Sequence, residues 1–335
     1  MRYIIIGAGA VGGVVGGRLA ESGIDVVLVA RGAHYEAIRS DGLRVEGHEG
    51  TRTHPLPVVR GPEELELGPD DVLFLAVKTQ DSVAALDAWA GRPVAGGGTA
   101  GERLPVVCAQ NGVEGERLAL RRFRRVYGIC VWLPATFLEP GHVGAKGFPL
   151  AGMLHIGRYP SGVDETAYAI SRDLEKAPFE SPVVPDVMRW KYGKLVGNIG
   201  NAMEAACGAM REEMLPLYVR AQAEGRAVLA AAGIDMVSEE ESRRTRGDKI
   251  GFKVVGGPPR SAGSSWQSLS RGTGTIEADY LNGEIALLGR LHGVPTPVND
   301  VLQRVANAFA RERREAGSMP VAELVALVDA EAPHS

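Results

Sequence analysis

A glycine run set directly behind a short apolar run constrains this chain more than any other feature. Arg2-Tyr3-Ile4-Ile5-Ile6 has strand character and leads into Gly7-Ala8-Gly9-Ala10-Val11-Gly12. A helix-like stretch continues to Gly23, and a second apolar run extends from Asp25 to Ala30, ending at Arg31. Strand, glycine turn, helix, strand is the opening of a dinucleotide-binding fold, and the motif gains its force from that context. Gly7 permits the tight turn off the strand, Gly9 lets the backbone approach a pyrophosphate, and Gly12 lets the helix pack close to the sheet. Phosphates then sit at a helix N-terminus, where free N–H groups and the helix dipole favour negative charge.

The end of the second apolar run discriminates between cofactors. NAD binders usually carry Asp or Glu there to accept from the ribose 2′-hydroxyl. This chain has Ala30-Arg31-Gly32 instead. A carboxylate would repel a 2′-phosphate, whereas a guanidinium forks onto it with charge-assisted hydrogen bonds. Arg31 therefore points to NADP(H) rather than NAD(H). The alternative is an ordinary solvated arginine after a strand.

A chain of 335 residues suits two domains. Its net charge of −4 gives no case for a nucleic acid or an anionic membrane surface as partner. No apolar run reaches the length of a membrane span. Strand character begins at residue 2, so no basic leader or cleavage region is expected. Cys108, Cys130 and Cys207 lack metal spacing and the histidines form no ligand pair, so no metal site is expected. Cys108 and Cys130 lie in apolar runs and read as small buried hydrophobes. The expected compartment is the reducing cytoplasm.

The N-terminal half alternates short apolar runs with helix-like stretches. Asp71 to Val77, Pro105 to Ala109 and Val126 to Trp132 are runs of the kind buried on both faces of a sheet, with residues 81–90 helical between the first two. This alternation predicts a doubly wound parallel sheet. Gly91 to Arg103, with Gly96-Gly97-Gly98, is expected to be a mobile surface loop. Residues 140–160 read as extended strands and turns at an antiparallel edge. After Pro185 the texture becomes helical, with helices expected over Asp186–Met210, Pro216–Ala232, Ile276–His292, Val298–Arg314 and Val321–Ala330, a charged and polar stretch over Glu239–Lys249 and a Gly/Pro loop over Gly251–Gly263. The expected fold is thus α/β: a Rossmann NADP-binding domain over 1–185, then an all-helical substrate and catalytic domain over 186–335.

Four places could carry chemistry. In Trp190-Lys191-Tyr192-Gly193-Lys194-Leu195-Val196-Gly197-Asn198-Ile199-Gly200-Asn201, a helix of about 100° per residue puts Asn198 roughly 40° from Lys194 and Asn201 within about 20° of it. A lysine and two carboxamides on one stripe of an otherwise apolar helix suggest a polar cleft wall. A solvated helix face is the alternative. Ser264-Ser265, Glu277, Tyr280 and Asn282 form a second group, in which Glu277 alone could simply complement a helix dipole. Gln110-Asn111-Gly112-Val113 closes an apolar strand, where ligands of open α/β sheets bind, although Asn-Gly is also a common turn pair. Val77-Lys78-Thr79 closes another, and Lys78 could be a surface charge.

Taken together, these residues resemble the ketopantoate reductase (2-dehydropantoate 2-reductase) family over roughly residues 1–315. The motifs that carry the likeness are Gly7–Gly12, Arg31, Val77-Lys78, Gln110-Asn111-Gly112, Lys194 with Asn198, Ser265, and Glu277-Ala278-Asp279-Tyr280-Leu281-Asn282-Gly283. The resemblance implies a Rossmann domain, a helical domain and a cleft between them. It also implies NADPH-dependent reduction of a 2-keto acid, 2-dehydropantoate to pantoate. Arg31, Lys78 and Asn111 would face the cofactor. Lys194 would be the general acid, Asn198 and Ser265 would hold substrate, and Glu277 would face the reacting site.

Two departures touch substrate recognition. The family usually has a second asparagine eight residues after the lysine; here that place is Ala202, and Asn201 stands one earlier. An asparagine often found three residues before the serine is here Ala262. By the angle argument Asn201 still joins Asn198 and Ser265 as a substrate residue. The expected mechanism passes hydride from nicotinamide C4 to the keto carbon while Lys194 donates a proton to the oxygen. Lys191, about 60° round the helix, is the second candidate acid. Two rivals stand beside this: a 2-hydroxy acid dehydrogenase for another branched or aromatic acid, and a non-catalytic NADP(H)-binding sensor. A homodimer is the expected assembly.

Overall fold

Residues 1–252, 263–272 and 274–331 are described by a computed structural model of the chain. The first part runs β1 (Arg2–Ile6), α1 (Ala10–Glu21), β2 (Asp25–Val29), α2 (Gly32–Asp41), β3 (Leu43–Gly47), β4 (Gly50–His54) and β5 (Val58–Val59). It continues with β6 (Asp71–Leu75), α3 (Ser82–Ala90), α4 (Ala100–Arg103), β7 (Pro105–Cys108), α5 (Gly115–Leu120) and β8 (Arg125–Trp132). Next come β9 (Ala135–Glu139), β10 (His142–Ala145), β11 (Gly147–Pro149), β12 (Gly152–Arg158), α6 (Glu165–Lys176) and β13 (Phe179–Glu180). Helices then dominate: α7 (Val187–Asn198), α8 (Asn201–Cys207), α9 (Leu215–Ala231) and α10 (Glu239–Arg246), with β14 (Ile250–Phe252) after them. The last are α11 (Ser264–Ser270), α12 (Asn282–His292), α13 (Pro297–Glu312) and α14 (Val321–Glu331).

The main sheet has the order β13-β12-β8-β7-β6-β1-β2-β5. Pairing is parallel from β5 across to β8, and β12 is antiparallel to β8. The chain builds from β1 through β2 to β5, then crosses to the other side of β1 with β6. That reversal makes the crevice outside the carboxyl ends of β1 and β6 the place where open α/β sheets take ligands. Both faces are covered, as the apolar runs predict. Tyr3, Ile5, Val72 and Phe74 point into one core, and Ile4, Ile6, Leu73 and Leu75 into the other.

A second sheet, β4-β3-β10-β9, was not foreseen. It explains why α1 carries more glycines than the cofactor motif needs. A Cβ on Gly16 would lie 2.8 Å from Leu28 of the main sheet, and one on Gly12 would press on Ile5. One turn round, a Cβ on Gly13 would lie 3.0 Å from Val143, and one on Gly17 2.6 Å from Val45, both in the second sheet. Two glycine stripes spaced by four residues let one helix sit between two sheets.

Several expected boundaries shift. Gly91–Arg103 is not a plain loop. Val94 N–H bonds the Gly98 carbonyl at 3.0 Å, and Thr99 with Glu102 forms a capping box that starts α4. Residues 140–160 divide among three sheets, with β12 inside the main one. The expected Asp186–Met210 helix is broken after Asn198. Glu277–Tyr280 is a 3-10 turn that precedes α12. Most of the Gly251–Gly263 loop, with Ala262, lies outside the described residues.

The compact units also divide the chain differently from 1–185 and 186–335. The first holds Met1–Lys191 with the described residues from Glu239 to Phe252. The second holds Tyr192–Ser238 with the described residues from Gly263 to Glu331. Two contacts account for the exchange: β14 pairs antiparallel with β11, and Arg189 of α7 forks onto the Glu241 carboxylate of α10 at 2.7 and 2.8 Å.

Candidate functional site

In the first unit the glycine turn has the geometry a pyrophosphate requires. Gly7 has φ +101°, a region open to glycine, and any Cβ there would lie 2.8 Å from Val77. A Cβ on Gly12 would collide with the Gly7 carbonyl oxygen. Gly9, the N-cap of α1, has nothing within 4 Å of a Cβ position. The two glycines that shape the turn are therefore packed, and the one assigned to the phosphates borders open space. Ala8, Ala10 and Val11 complete the turn into α1.

The turn is braced by a residue that the sequence did not single out. His34 of α2 donates from Nε2 to the Ala8 carbonyl at 2.6 Å and accepts the Gly141 N–H on Nδ1 at 2.8 Å. Those partners require the neutral, Nε2-protonated ring, and burial lowers the pKa of His34 accordingly. No motif signals this histidine, because its partners lie 26 and 107 residues away.

Arg31 is exposed and is the N-cap of α2. Arg31 stands where β2 ends and α2 begins, and the first N–H groups of a helix together with a nearby cation suit a phosphate. Lys78 follows β6 and is partly exposed; Asn111 follows β7 and is also partly exposed. Gln110 ties these two strand ends together: its Nε2 donates to the Val77 carbonyl at 2.7 Å and to the Ser82 hydroxyl at 2.8 Å. Thr79 also reaches the Asn111 carbonyl, at 3.5 Å. Lys78, Asn111 and the glycine turn thus share the carboxyl edge of the sheet.

Lys191 is not placed as a second proton donor. It is buried, pairs with the buried Glu116 carboxylate, and donates to the Gln110 carbonyl at 3.1 Å. Burial pushes the Glu116 carboxyl up while Lys191 pulls it down. Burial also raises the neighbouring Cys108 thiol well above its ordinary range, with Glu116 adding to the effect, so Cys108 is a poor nucleophile. Cys130 and Cys207 are buried too, and neither is part of a disulfide among the described residues.

The second unit carries Lys194, Asn198, Asn201, Ser265 and Glu277. Lys194 and Asn198 lie one turn apart on α7, both partly exposed. Asn201 does not share their stripe by simple helical rotation, because the helix stops at Asn198 and α8 starts at Asn201. Asn201 is instead set beside the entrance to α11. A Cβ on Gly263 would lie 2.7 Å from its Oδ1, and the Gly263 N–H donates to Glu204 of α8 at 2.9 Å. Asn201 and the Ser264-Ser265 pair are therefore neighbours, and Ser265 is buried. Glu277 is buried in its 3-10 turn. Among the described residues no group of three or more His, Cys, Asp or Glu could hold a metal ion, and no helix is long and apolar enough to cross a membrane.

A glycine turn at the switch point of a parallel sheet, joined in sequence to a helical unit bearing a lysine, amides and a buried carboxylate, defines a dinucleotide-binding oxidoreductase class. Comparison narrows it. The family model for ketopantoate reductase PanE/ApbA matches residues 3–161, and its C-terminal counterpart matches 186–310. A 2-dehydropantoate 2-reductase from Mesorhizobium japonicum is 31% identical, across 93% of this chain and 99% of its own. The crystal structure of a PanE/ApbA family ketopantoate reductase from Ralstonia eutropha JMP134 is similar at TM-score 0.77 and 25% identity, over 94% of this chain and 100% of that one. D-mandelate dehydrogenase with NADH and anilino(oxo)acetate shares the fold, at TM-score 0.79 and 22% identity over 93% and 99% of the two chains. The chain belongs to the ketopantoate reductase family and is an oxidoreductase of the type that acts on CH–OH groups.

Proposed function

We propose that this protein reduces a 2-keto acid to the 2-hydroxy acid with NADPH, and that the substrate is 2-dehydropantoate. Family membership supports the reaction. The observation that carries the cofactor choice is Arg31, exposed at the N-terminus of α2 where an NAD binder would hold a carboxylate. When bound, the cofactor supplies hydride to the keto carbon. The chain's own residues do the rest. The Gly7–Gly12 turn, Lys78 and Asn111 hold the dinucleotide. Asn198, Asn201 and Ser265 hold the polar groups of the keto acid. As the carbonyl π pair moves onto oxygen, the Lys194 ammonium stabilises the growing charge and gives up a proton from Nζ. Glu277 orients the reacting oxygen or tunes Lys194.

The restart of the helix at Asn201 favours a second reading on the same scaffold, in which the best substrate is another branched or aromatic 2-keto acid. One experiment separates these: initial rates of NADPH and NADH oxidation over a panel of 2-keto acids. 2-Dehydropantoate with NADPH is expected to give the highest kcat/KM. Lys194→Ala should lower kcat by about 10²–10⁴, and Arg31→Ala should weaken NADPH about tenfold while sparing NADH. Near-normal turnover by Lys194→Ala would remove its role, and equal losses for both cofactors would remove that of Arg31. Cofactor binding without turnover of any keto acid would leave a sensor.

A further inference from the structure

Between Asn198 and Asn201 a helix is interrupted and restarted, and side chains from two other helices occupy the interruption. The Tyr218 hydroxyl of α9 donates to the Gly197 carbonyl at 3.0 Å. Gln222, one turn along α9, donates to the Val196 carbonyl at 3.4 Å and to the Tyr218 oxygen at 2.9 Å. Asn282, the first residue of α12 and fully buried, donates from Nδ2 to the Ile199 carbonyl at 3.2 Å. In an uninterrupted helix these carbonyls would accept from their own backbone four residues on.

Asn282 is the inner end of a longer chain of hydrogen bonds. Its Nδ2 also donates to Asn299 Oδ1 at 3.0 Å. Asn299 Nδ2 donates in turn to the Ala221 carbonyl at 3.0 Å and to the Glu224 carboxylate at 2.8 Å. Glu224 further accepts the backbone N–H groups of Val298 and Asn299, at 2.9 and 3.0 Å, and so caps the start of α13. Both termini of this chain are acceptors. The Ala221 carbonyl and the Glu224 carboxylate compel Asn299 to turn its amino group toward them and its oxygen toward Asn282. The Asn282 amino group is then directed at Ile199, and no other orientation of the two amides satisfies the set.

We propose that Asn282 is a positioning residue: by holding the Ile199 carbonyl it fixes the helix interruption, and with it the aim of Asn198 and Asn201 at the keto acid. The proposal rests on the substrate role given above to those two amides. It assigns a task to the asparagine of the Glu277–Gly283 motif.

The test compares wild type with Asn282→Ala, and with Tyr218→Phe, which deletes one hydroxyl at the same interruption and leaves the buried chain intact. Three quantities are read: amide hydrogen exchange by mass spectrometry, the Kd for NADPH, and steady-state kinetics with 2-dehydropantoate. Asn282→Ala should speed exchange over residues 198–207 about tenfold without changing residues 2–23. It should raise KM for the keto acid about tenfold and leave the NADPH Kd within about twofold. Tyr218→Phe should move the same quantities the same way by a smaller factor. Unchanged exchange over 198–207 in Asn282→Ala would overturn the proposal. So would faster exchange with an unaltered KM, which would leave Asn282 a purely structural role. A wild-type protein that turns over no 2-keto acid overturns the proposed function, and the substrate role of the amides with it, while the exchange result still decides whether Asn282 holds the interruption.

Discussion

The two compact units prepare their polar groups by opposite means. In the first, the glycine turn works through missing side chains: Gly7 and Gly12 are packed so tightly that a methyl group would strike backbone. In the second, the interruption after Asn198 works through side chains that are present, with Tyr218, Gln222 and Asn282 each holding a carbonyl. A site formed by close backbone approach is intolerant of added atoms. A site formed by captured carbonyls is intolerant of lost donors. The buried Lys191–Glu116 pair adds a third kind of support, which tolerates neither partner alone.

Substitutions separate these three kinds of support. The largest effect is expected at the ion pair. Lys191→Met strands a buried carboxylate and should cost about 3–5 kcal/mol, while Lys191→Met with Glu116→Leu should regain most of it; urea denaturation of the three proteins checks both. An additive double variant would show that the charges are not coupled. Next comes the glycine pair. Gly12→Ala should destabilise by about 1–3 kcal/mol through overpacking. Gly9→Ala, with open space at its Cβ, should cost at most about 1 kcal/mol as a poorer N-cap and still weaken NADPH binding severalfold. Thermal melts beside cofactor titration separate the two, and similar melting temperatures would contradict the packing argument.

The smallest effect is a pH dependence. His155 is fully buried, stacked edge-on with Trp132 and Trp190, and neither ring nitrogen has a hydrogen-bond partner among the described residues. Burial, with Lys249 adding charge repulsion, lowers its pKa to about 4. The native state therefore resists a proton that the unfolded chain accepts near pH 6.5. The stability contributed by the neutral ring is present above that pH and is lost as pH falls toward 4. About 1 kcal/mol should go between pH 6.5 and 5.5, and His155→Leu should flatten that slope in denaturation series. The lowered pKa values of His34 and His54 act in the same direction, so a residual slope in the variant is expected.

What could be read from the sequence follows from how local each signal is. β1, the glycine turn, α1 and β2 occupy consecutive residues, so spacing alone exposes them. The second sheet draws on segments as far apart as 43–54 and 135–145, and β4 is almost wholly exposed, so no apolar pattern announces it. The angular argument for Asn201 assumes one continuous helix and fails at Ile199. The residues that interrupt that helix stand 21 to 83 positions away in the chain, beyond the reach of any local rule. Lys191 has the spacing of a site lysine, and only Glu116, 75 residues earlier, reveals its different task.

The double glycine stripe of α1 has a mechanical consequence. A helix packed closely on both flanks has little room to slide or tilt toward the phosphate proposed for its N-terminus. Its amide hydrogens are aimed before anything arrives, so docking forfeits little conformational freedom.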